Sequence, residues 1–396
     1  MPLIPRNAKK PLGIYIHIPF CRSKCQYCDF CSIPHGDAEL MDRYQKAICA
    51  HIKESGPQAP GYQVDSVYFG GGTPSFFGAD RLAAVLATVR QSFNVSPRAE
   101  ITFEVNPDSV SMRLLRRLKS EGFNRVSMGI QSDDDEMLER LGRPHTYEDA
   151  VEAVRMIRKA GFRNLSLDLM FGLPEQSLSQ WLSTLATVME LKPEHMSCYN
   201  LRIEPGTPLY DNQDRYYFGD DDEQAEMYLS AVEMLKRKGY HQYEISNFSK
   251  RGMASHHNLK YWTGGEYIGF GPAASSDFAG KRFTAVADVM EYIEGIQSHG
   301  QVLAEVQEIP HRERAGEYLI TRLRTTMGIT GEEYTRKYLL PFLPIEAKLE
   351  QYFSSGHAIC INGRWRLTPE GLLISNDILS ELLLAQERAL EQTQGG

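Results

Sequence analysis

The chain has 396 residues, of which 42% are hydrophobic and 24% charged, a composition typical of globular proteins. This composition excludes collagen-like, low-complexity and wholly disordered chains. The 43 Lys and Arg residues stand against 51 Asp and Glu residues, which gives a net charge of −8. The basic excess that a nucleic-acid-binding surface needs is therefore missing, and we expect no nucleic-acid partner.

The N-terminal segment carries basic residues ahead of an apolar run, as a signal peptide does. The run Leu12–Pro19 alternates, however, with Ile14 and Ile16 on one face, and it leads into a cysteine cluster without a small-residue cleavage site. The alternation predicts a β-strand instead. No stretch reaches the roughly 18 apolar residues of a membrane-spanning helix. We expect a cytoplasmic protein with at most peripheral membrane association, in which residues 1–11 form an N-terminal extension.

Four of the seven cysteines lie between Cys21 and Cys31, and an odd, clustered number argues against a disulfide framework. Cys21, Cys25 and Cys28 have the spacing Cys-x3-Cys-x2-Cys, which is typical of a metal-binding loop. Zinc is one candidate, but structural zinc sites normally use two separated pairs of ligands. One short loop can instead hold three irons of a 4Fe-4S cluster and leave the fourth iron open, so the spacing favours iron and sulfur over zinc.

Further strand-like runs follow the cysteines, each with a helix-like segment after it. They are Val64–Phe69, Ile101–Val105, Arg125–Ile130, Leu165–Phe171 and Met196–Ile203. This alternation predicts βα units that form a parallel sheet. Six units are fewer than the eight of a closed TIM barrel. The sequence therefore predicts an α/β fold, an open (β/α)6 partial barrel, over residues 12–220.

The pattern changes after residue 220. A connecting region, residues 221–309, begins with a predicted helix and continues with an aromatic, glycine-rich section. Farther on, Asn362-Gly363 separates the runs Ala358–Ile361 and Trp365–Leu367, which is a strong hairpin signal. We expect residues 310–390 to form a smaller α+β, winged-helix-like domain and residues 391–396 to form a flexible tail.

The cysteine spacing, the aromatic Tyr27 before the third cysteine and the preceding His17-Ile-Pro-Phe resemble the radical S-adenosylmethionine (SAM) superfamily. Within it, nearly the whole chain resembles the branch that contains the oxygen-independent coproporphyrinogen III oxidase and the radical SAM heme chaperone. The resemblance implies that Cys21, Cys25 and Cys28 hold a 4Fe-4S cluster. It also implies that SAM binds at the open iron and that an electron donor reduces the site.

Residues at the carboxyl ends of the strands are candidate ligands, because these ends meet at one edge of a parallel sheet. Consecutive glycines let a ligand approach the backbone, and a strand-end carboxylate can accept hydrogen bonds from ribose hydroxyls. The resemblance implies SAM contacts from Tyr15, Tyr27, Gly71, Gly72, Thr73, Glu104, Gln131, Arg143 and Asp168. The alternatives are a tight turn for the glycines, a partly exposed charge for Glu104 and an internal salt bridge for Asp168.

Two features separate the oxidase from the chaperone. The oxidase pattern has a fourth cysteine two residues after the third, where this chain has Phe30, and Cys31 comes one residue later. His257-Asn258-x-x-Tyr261-Trp262 resembles a motif of the chaperone branch and implies heme binding, with His257 as a candidate iron ligand. The alternative is a buried turn in which His257 is hydrogen-bonded, and His256 could replace it as the ligand.

The sequence therefore predicts a heme chaperone of the radical SAM type, which binds heme and transfers it to apo-hemoproteins such as respiratory cytochromes. Oxygen-independent coproporphyrinogen III oxidase activity, in porphyrin biosynthesis, is the alternative. A zinc-stabilised scaffold without redox chemistry is a third, weaker interpretation. We assign no catalytic residue, and the sequence leaves open whether SAM is cleaved.

Overall fold

The computed structural model describes residues 9–394. These residues form two compact units. The first contains residues 9–219, 255–257 and 265–308, and the second contains residues 220–254, 258–264 and the chain from residue 309. Most of the predicted N-terminal extension and the last residues of the predicted tail lie outside the described residues. The domain boundaries given above stay predictions.

The strands are numbered in chain order. They are β1 Lys10–Ile18, β2 Phe20–Cys21, β3 Ile33–Pro34, β4 Tyr62–Gly71, β5 Val95–Val105, β6 Arg125–Gln131, β7 Leu165–Phe171, β8 His195–Asn200, β9 His241–Gln242, β10 Asn247–Ser249, β11 Tyr267–Phe270, β12 Ser275–Phe278, β13 Lys281–Ala285, β14 Leu303–Glu308, β15 Ile329–Thr330, β16 Ala358–Ile361 and β17 Arg364–Leu367. Each of the six predicted βα strands lies within or overlaps one of them.

The helices are numbered in the same way. They are α1 Ala38–Ser55, α2 Pro74–Phe77, α3 Ala79–Ser92, α4 Met112–Ser120, α5 Asp135–Arg140, α6 Tyr147–Lys159, α7 Leu178–Met189, α8 Pro208–Asp211, α9 Asp221–Arg237, α10 His256–Thr263, α11 Val289–Gln297, α12 His311–Leu323, α13 Gly331–Tyr338, α14 Leu343–Ser354, α15 Pro369–Leu373 and α16 Ser375–Gln394. Several begin with a capping box, as α6 does at Thr146 and Asp149, which satisfies backbone N–H groups of the first turn.

The sheet of the first unit has the strand order β14-β13-β12-β11-β1-β4-β5-β6-β7-β8. Strands β1, β4, β5, β6, β7 and β8 are parallel to their neighbours, and β11 pairs in parallel with β1. The order is linear, so the sheet stays open. The predicted open partial barrel is confirmed, and the antiparallel strands β12, β13 and β14 extend it beyond the prediction.

The six βα strands alternate between apolar and polar side chains. In β1, for example, Ile14 and Ile16 are fully buried, whereas Tyr15 between them is half-buried. The polar residues that lie on one shared face of the six strands are Tyr15, His17, Ser66, Tyr68, Glu100, Thr102, Glu104, Arg125, Ser127, Ser166, Asp168, His195 and Ser197. Parallel strands covered on both faces usually carry continuous apolar runs. One face of this sheet therefore carries a polar interior.

The second unit contains a three-stranded antiparallel sheet with the order β15-β17-β16, together with helices α12 to α16. The hairpin between β16 and β17 turns at Asn362 and Gly363, whose φ angles of 52° and 73° are those that a two-residue hairpin turn requires. The predicted hairpin and the smaller α+β domain are confirmed. Among residues 9–394, no helix combines the length and the apolar character needed to cross a membrane.

Candidate functional site

The cysteine loop, residues 19–34, begins at the carboxyl end of β1, and its last residues pair with its first. Pairing of β2 with β3 closes it, through the bond from the Ile33 N–H to the Pro19 carbonyl at 2.6 Å. The middle of the loop is fixed at Gln26, whose N–H donates to the Leu141 carbonyl at 3.0 Å and whose carbonyl accepts from the Leu209 N–H at 2.9 Å. The three predicted cluster ligands thus lie on one closed loop, and their thiols form no disulfides.

Gly71, the last residue of β4, and Gly72 after it lie closer to β1 and the cysteine loop than a residue with a Cβ atom could. A Cβ atom on Gly72 would lie 2.9 Å from the carbonyl oxygens of Ile18 and Phe20 and 3.0 Å from Cys21 Sγ. Gly71 has a φ of 110°, and a Cβ there would lie 2.5 Å from the His17 ring. These glycines therefore have a packing role that is independent of any ligand.

A chain of hydrogen bonds joins two of the loop cysteines through three residues from elsewhere. The Thr73 hydroxyl donates to Cys21 Sγ at 3.4 Å and accepts from the Asn106 amide at 3.2 Å. Arg143 then donates to Asn106 Oδ1 at 2.9 Å and to Cys25 Sγ at 3.5 Å. N–H and O–H donors to sulfur favour the thiolate over the thiol. Burial raises the pKa of the Cys21 thiol, and the Thr73 hydrogen bond opposes that shift in favour of the thiolate, the form that binds iron.

Arg143 also lies close to two other predicted site residues, Gln131 and Tyr27. Its guanidinium donates to the Gly129 carbonyl at 2.7 Å, beside the place where the Gln131 amide folds back toward Gly129. Burial raises the pKa of the Tyr27 phenol, and the neighbouring Arg143 charge opposes that shift. Arg143 Nε is buried and has no hydrogen-bond partner among the described residues. A buried N–H without a partner is costly, so this atom fits an anionic ligand group.

Glu104 lies in the polar interior at the end of β5. Its Oε1 accepts from the Tyr68 hydroxyl at 2.7 Å, and its Oε2 accepts from the Gly71 N–H at 3.2 Å. Burial raises the pKa of the Glu104 carboxyl to about 7, while the Tyr68 hydrogen bond opposes the shift and the Asp168 charge adds to it. The carboxyl is half-buried, so it is held in position and still accessible to a ligand.

Asp168 on β7 is surrounded by hydroxyl groups. Ser127 donates to it at 3.1 Å and Ser166 at 3.0 Å, and Ser166 in turn is 2.8 Å from Nδ1 of the buried His195. Burial raises the pKa of the Asp168 carboxyl, although the serine hydroxyls and the Arg125 charge oppose the shift. Hydroxyl bonds stabilise this carboxylate, and the Arg125 charge adds to that stabilisation.

Tyr15 connects this interior to the end of the cysteine loop. The Tyr15 hydroxyl lies 3.1 Å from Nδ1 of His17, whose Nε2 lies 2.8 Å from the Cys31 carbonyl. A carbonyl can only accept, so Nε2 carries a proton. Burial lowers the pKa of His17, so the ring is neutral and Nδ1 accepts from Tyr15. Cys31 itself donates its thiol to the Ala287 carbonyl at 3.1 Å.

The two histidines of the predicted heme motif have different surroundings. His256 is exposed, whereas His257 is only 1% exposed and its Nδ1 lies 3.0 Å from the Ser66 hydroxyl. Its ring is stacked on Tyr68 at 5.3 Å between centroids. This burial corresponds to the alternative stated above, in which His257 is hydrogen-bonded inside the protein. Its role as an iron ligand stays a prediction.

The structure thus brings the predicted SAM residues together around the polar interior and the cysteine loop. It also adds residues that sequence reasoning missed: Tyr68, Asn106, Arg125, Ser127, Ser166 and His195. A signal for most of them was present, because polar residues occupy alternate positions in strands that are otherwise apolar. The role of Asn106 had no such signal, since its partners Thr73 and Arg143 come from other elements.

The chemistry of this donor set fits the implied cofactors. Three free thiols on one loop fit a cluster, and the guanidinium of Arg143 with the carboxylates of Glu104 and Asp168 fits a ligand that carries an anionic group and hydroxyls. Within residues 9–394, no three His, Cys, Asp or Glu side chains are grouped closely enough to hold a single metal ion. That finding concerns single ions, since a cubane cluster holds its thiolates farther apart.

Comparisons with known proteins place the chain among characterised families. The profile of the Radical SAM superfamily matches residues 15–188, and that of the HemN C-terminal domain matches residues 309–374. The heme chaperone HemW of Bacillus subtilis is 35% identical over 327 residues, which cover 82% of this chain and 86% of that protein. The heme chaperone HemW of Haemophilus influenzae is 33% identical over 400 residues, which cover 98% of this chain and 100% of that protein.

The solved structure of coproporphyrinogen III oxidase (HemN) from Escherichia coli, described as a radical SAM enzyme, has a TM-score of 0.82. The two sequences are 22% identical, and the structural match covers 94% of this chain and 90% of the HemN chain. At this identity the similarity demonstrates a shared fold.

The packing of Gly72 leads to a first prediction. Gly72→Ala should destabilise the protein by about 1–3 kcal/mol, because the added methyl group meets two carbonyls and Cys21 Sγ in a closely packed site. Chemical denaturation of the ligand-free protein measures the effect. Gly61→Ala is the matched control, since nothing lies within 4 Å of the added Cβ. Equal stability of the two variants would contradict the packing role.

The raised pKa of Glu104 leads to a second prediction. The folded carboxyl has a pKa of about 7, against an ordinary value of 4.5. Between these values the folded state binds more protons than the unfolded state, so stability is lost as pH rises through this window. Gln does not ionise. The melting temperature of Glu104→Gln relative to the parent should therefore increase from pH 5 to pH 8.

The sign of this trend is the test, because the lost Gly71 hydrogen bond shifts the variant by a constant amount at every pH. Glu136→Gln, on the exposed face of α5, is the control and should show no difference that increases with pH. A flat or falling difference for Glu104→Gln would show that the carboxyl ionises without cost.

Proposed function

Since the chain belongs to the heme chaperone HemW family within the radical SAM superfamily, we propose that it binds heme and transfers it to apo-hemoproteins such as respiratory cytochromes. The observation that carries the proposal is the similarity to that chaperone over nearly the full length of both chains. The family and the open α/β fold predicted from the sequence are confirmed. The clients, the electron donor and a cytoplasmic location are part of the proposal.

We assign three irons of a 4Fe-4S cluster to Cys21, Cys25 and Cys28. The closed loop and the hydrogen bonds that Cys21 and Cys25 accept from Thr73 and Arg143 support this assignment. A cluster with one open iron supplies one-electron reduction of a ligand bound there. The protein's own part is to hold the thiolates apart from bulk water and to place the ligand next to them.

The chemistry of the groups supports the SAM contacts that the family resemblance implies. Arg143, with its unpartnered Nε, fits the carboxylate of SAM, and Gln131 lies beside it. Glu104 and Asp168 fit hydroxyl and amino donors. The remaining proposed contacts surround these groups: Tyr15, Tyr27, Gly71, Gly72 and Thr73.

The heme site is assigned to the motif that begins α10. Tyr261 is 37% exposed and offers a flat apolar face to a porphyrin. An imidazole is a suitable axial ligand for heme iron. His257 is the predicted ligand and His256 the alternative, and the exposure of His256 supports the alternative.

Anaerobic reconstitution gives the third prediction. The parent protein should bind about four irons and four sulfides per chain, whereas Cys25→Ala should lose stable cluster assembly because one iron then lacks its thiolate. Iron and sulfide analysis with absorption spectra measures the outcome. Cys49→Ala, which removes a cysteine on α1 outside the loop, is the control and should assemble normally. A colourless parent protein that contains one zinc would refute the cluster.

Heme transfer is the decisive test of the chaperone function. Hemin should bind the reconstituted protein with a shifted Soret band and should move to an apo-hemoprotein at a rate that increases with acceptor concentration. A rate independent of the acceptor indicates simple dissociation and contradicts a chaperone. Conversion of coproporphyrinogen III in the presence of SAM and reductant, without specific hemin binding, would establish the oxidase alternative instead.

A further inference from the structure

His257 lies in the wall of the polar interior. Its side chain is 1% exposed, and its Nδ1 lies 3.0 Å from the Ser66 hydroxyl on β4. Its backbone N–H donates to the buried Glu100 carboxylate at 3.1 Å, and the N–H of His256 donates to the same carboxylate at 3.2 Å. The position of the His257 ring is therefore fixed from both the backbone and the side chain.

Three aromatic rings pack together around Tyr68. The Tyr68 ring is stacked on His257, with centroids 5.3 Å apart and an interplanar angle of 27°. Tyr68 is also stacked on Tyr15, with centroids 6.3 Å apart and an angle of 26°. Tyr15 in turn lies 6.4 Å from His257. The His257 ring thus limits where the Tyr68 ring can lie.

The position of the Tyr68 ring determines the position of its hydroxyl. That hydroxyl donates to Glu104 Oε1 at 2.7 Å, while Gly71 holds the other carboxylate oxygen. A displaced Tyr68 ring would leave Glu104 with one hydrogen bond and a free rotation about its last side-chain bond. The orientation of the carboxylate that faces the ligand therefore depends on His257.

We propose that His257 is a positioning residue of the SAM site, which holds Tyr68 and through it Glu104, and that it is not the ligand of heme iron. The proposal rests on the proposed function, because SAM and heme are assigned there. Binding iron through Nε2 could keep the Nδ1 bond to Ser66, but it would require the ring to give up its buried position and its stacking on Tyr68. The exposed His256 can reach a ligand without any of these losses.

The experiment measures SAM affinity and the hemin Soret band in reconstituted protein with verified cluster content. His257→Ala should weaken SAM binding by about tenfold, the size of one lost hydrogen bond, and should leave the hemin spectrum unchanged. The double variant Ser66→Ala/His257→Phe keeps a stacked ring and leaves no buried hydroxyl unpaired, so its SAM affinity should return toward that of the parent. His256→Ala should leave SAM affinity unchanged.

A double-mutant cycle separates positioning from a general structural effect. Tyr68→Phe removes the hydroxyl through which His257 acts, so its loss of SAM affinity and that of His257→Ala should not add. Additive losses contradict the proposal. It is also overturned if the double variant loses the hemin spectrum or if His257→Ala binds SAM as the parent does. If the parent itself binds no hemin, the proposed function fails, while SAM affinity still tests the role of His257.

Discussion

A polar side chain enclosed by a sheet must find a hydrogen-bond partner, because leaving a buried donor or acceptor unpaired costs more than the bond itself yields. The interior of this sheet meets that requirement with pairs from neighbouring strands. Glu104 lies next to Ser127 in the register of β5 and β6, and Ser127 lies next to Ser166 on β7. Each hydroxyl can therefore reach a carboxylate or an imidazole, and the side chains hold one another in fixed positions.

The same requirement contributes to the shape of the cysteine loop. Small residues allow β4 to end directly against the loop, as the contacts around Gly72 show. Thr73 can then reach Cys21, and Asn106 can connect Thr73 to Arg143. Preorganised donors of this kind cost no rearrangement when a charged group arrives. The glycines thus contribute to the shape of the loop through close packing.

Local sequence patterns predicted the six parallel strands and the C-terminal hairpin, because alternation and the Asn-Gly turn are contained within short segments. They did not predict β11, since its pairing with β1 joins segments far apart in the chain. Strand-end residues such as Glu104 were predicted from topology and family resemblance. The partnership of Asn106 with Arg143 could not be predicted, because it exists only once their elements are folded. The burial of His257 was foreseen only as an alternative.

The electrostatics of the interior connect the carboxylates to the ligand proposed for them. Burial and the neighbouring Asp168 charge raise the pKa of Glu104, and the Arg125 charge offsets only part of this effect. SAM carries a positive sulfonium centre and a net positive charge. A cation beside two carboxylates favours their ionised forms, so ligand binding and ionisation of Glu104 must support each other. A neutral porphyrin face would provide no such compensation, which is a physical reason to place SAM, and not heme, against this pair.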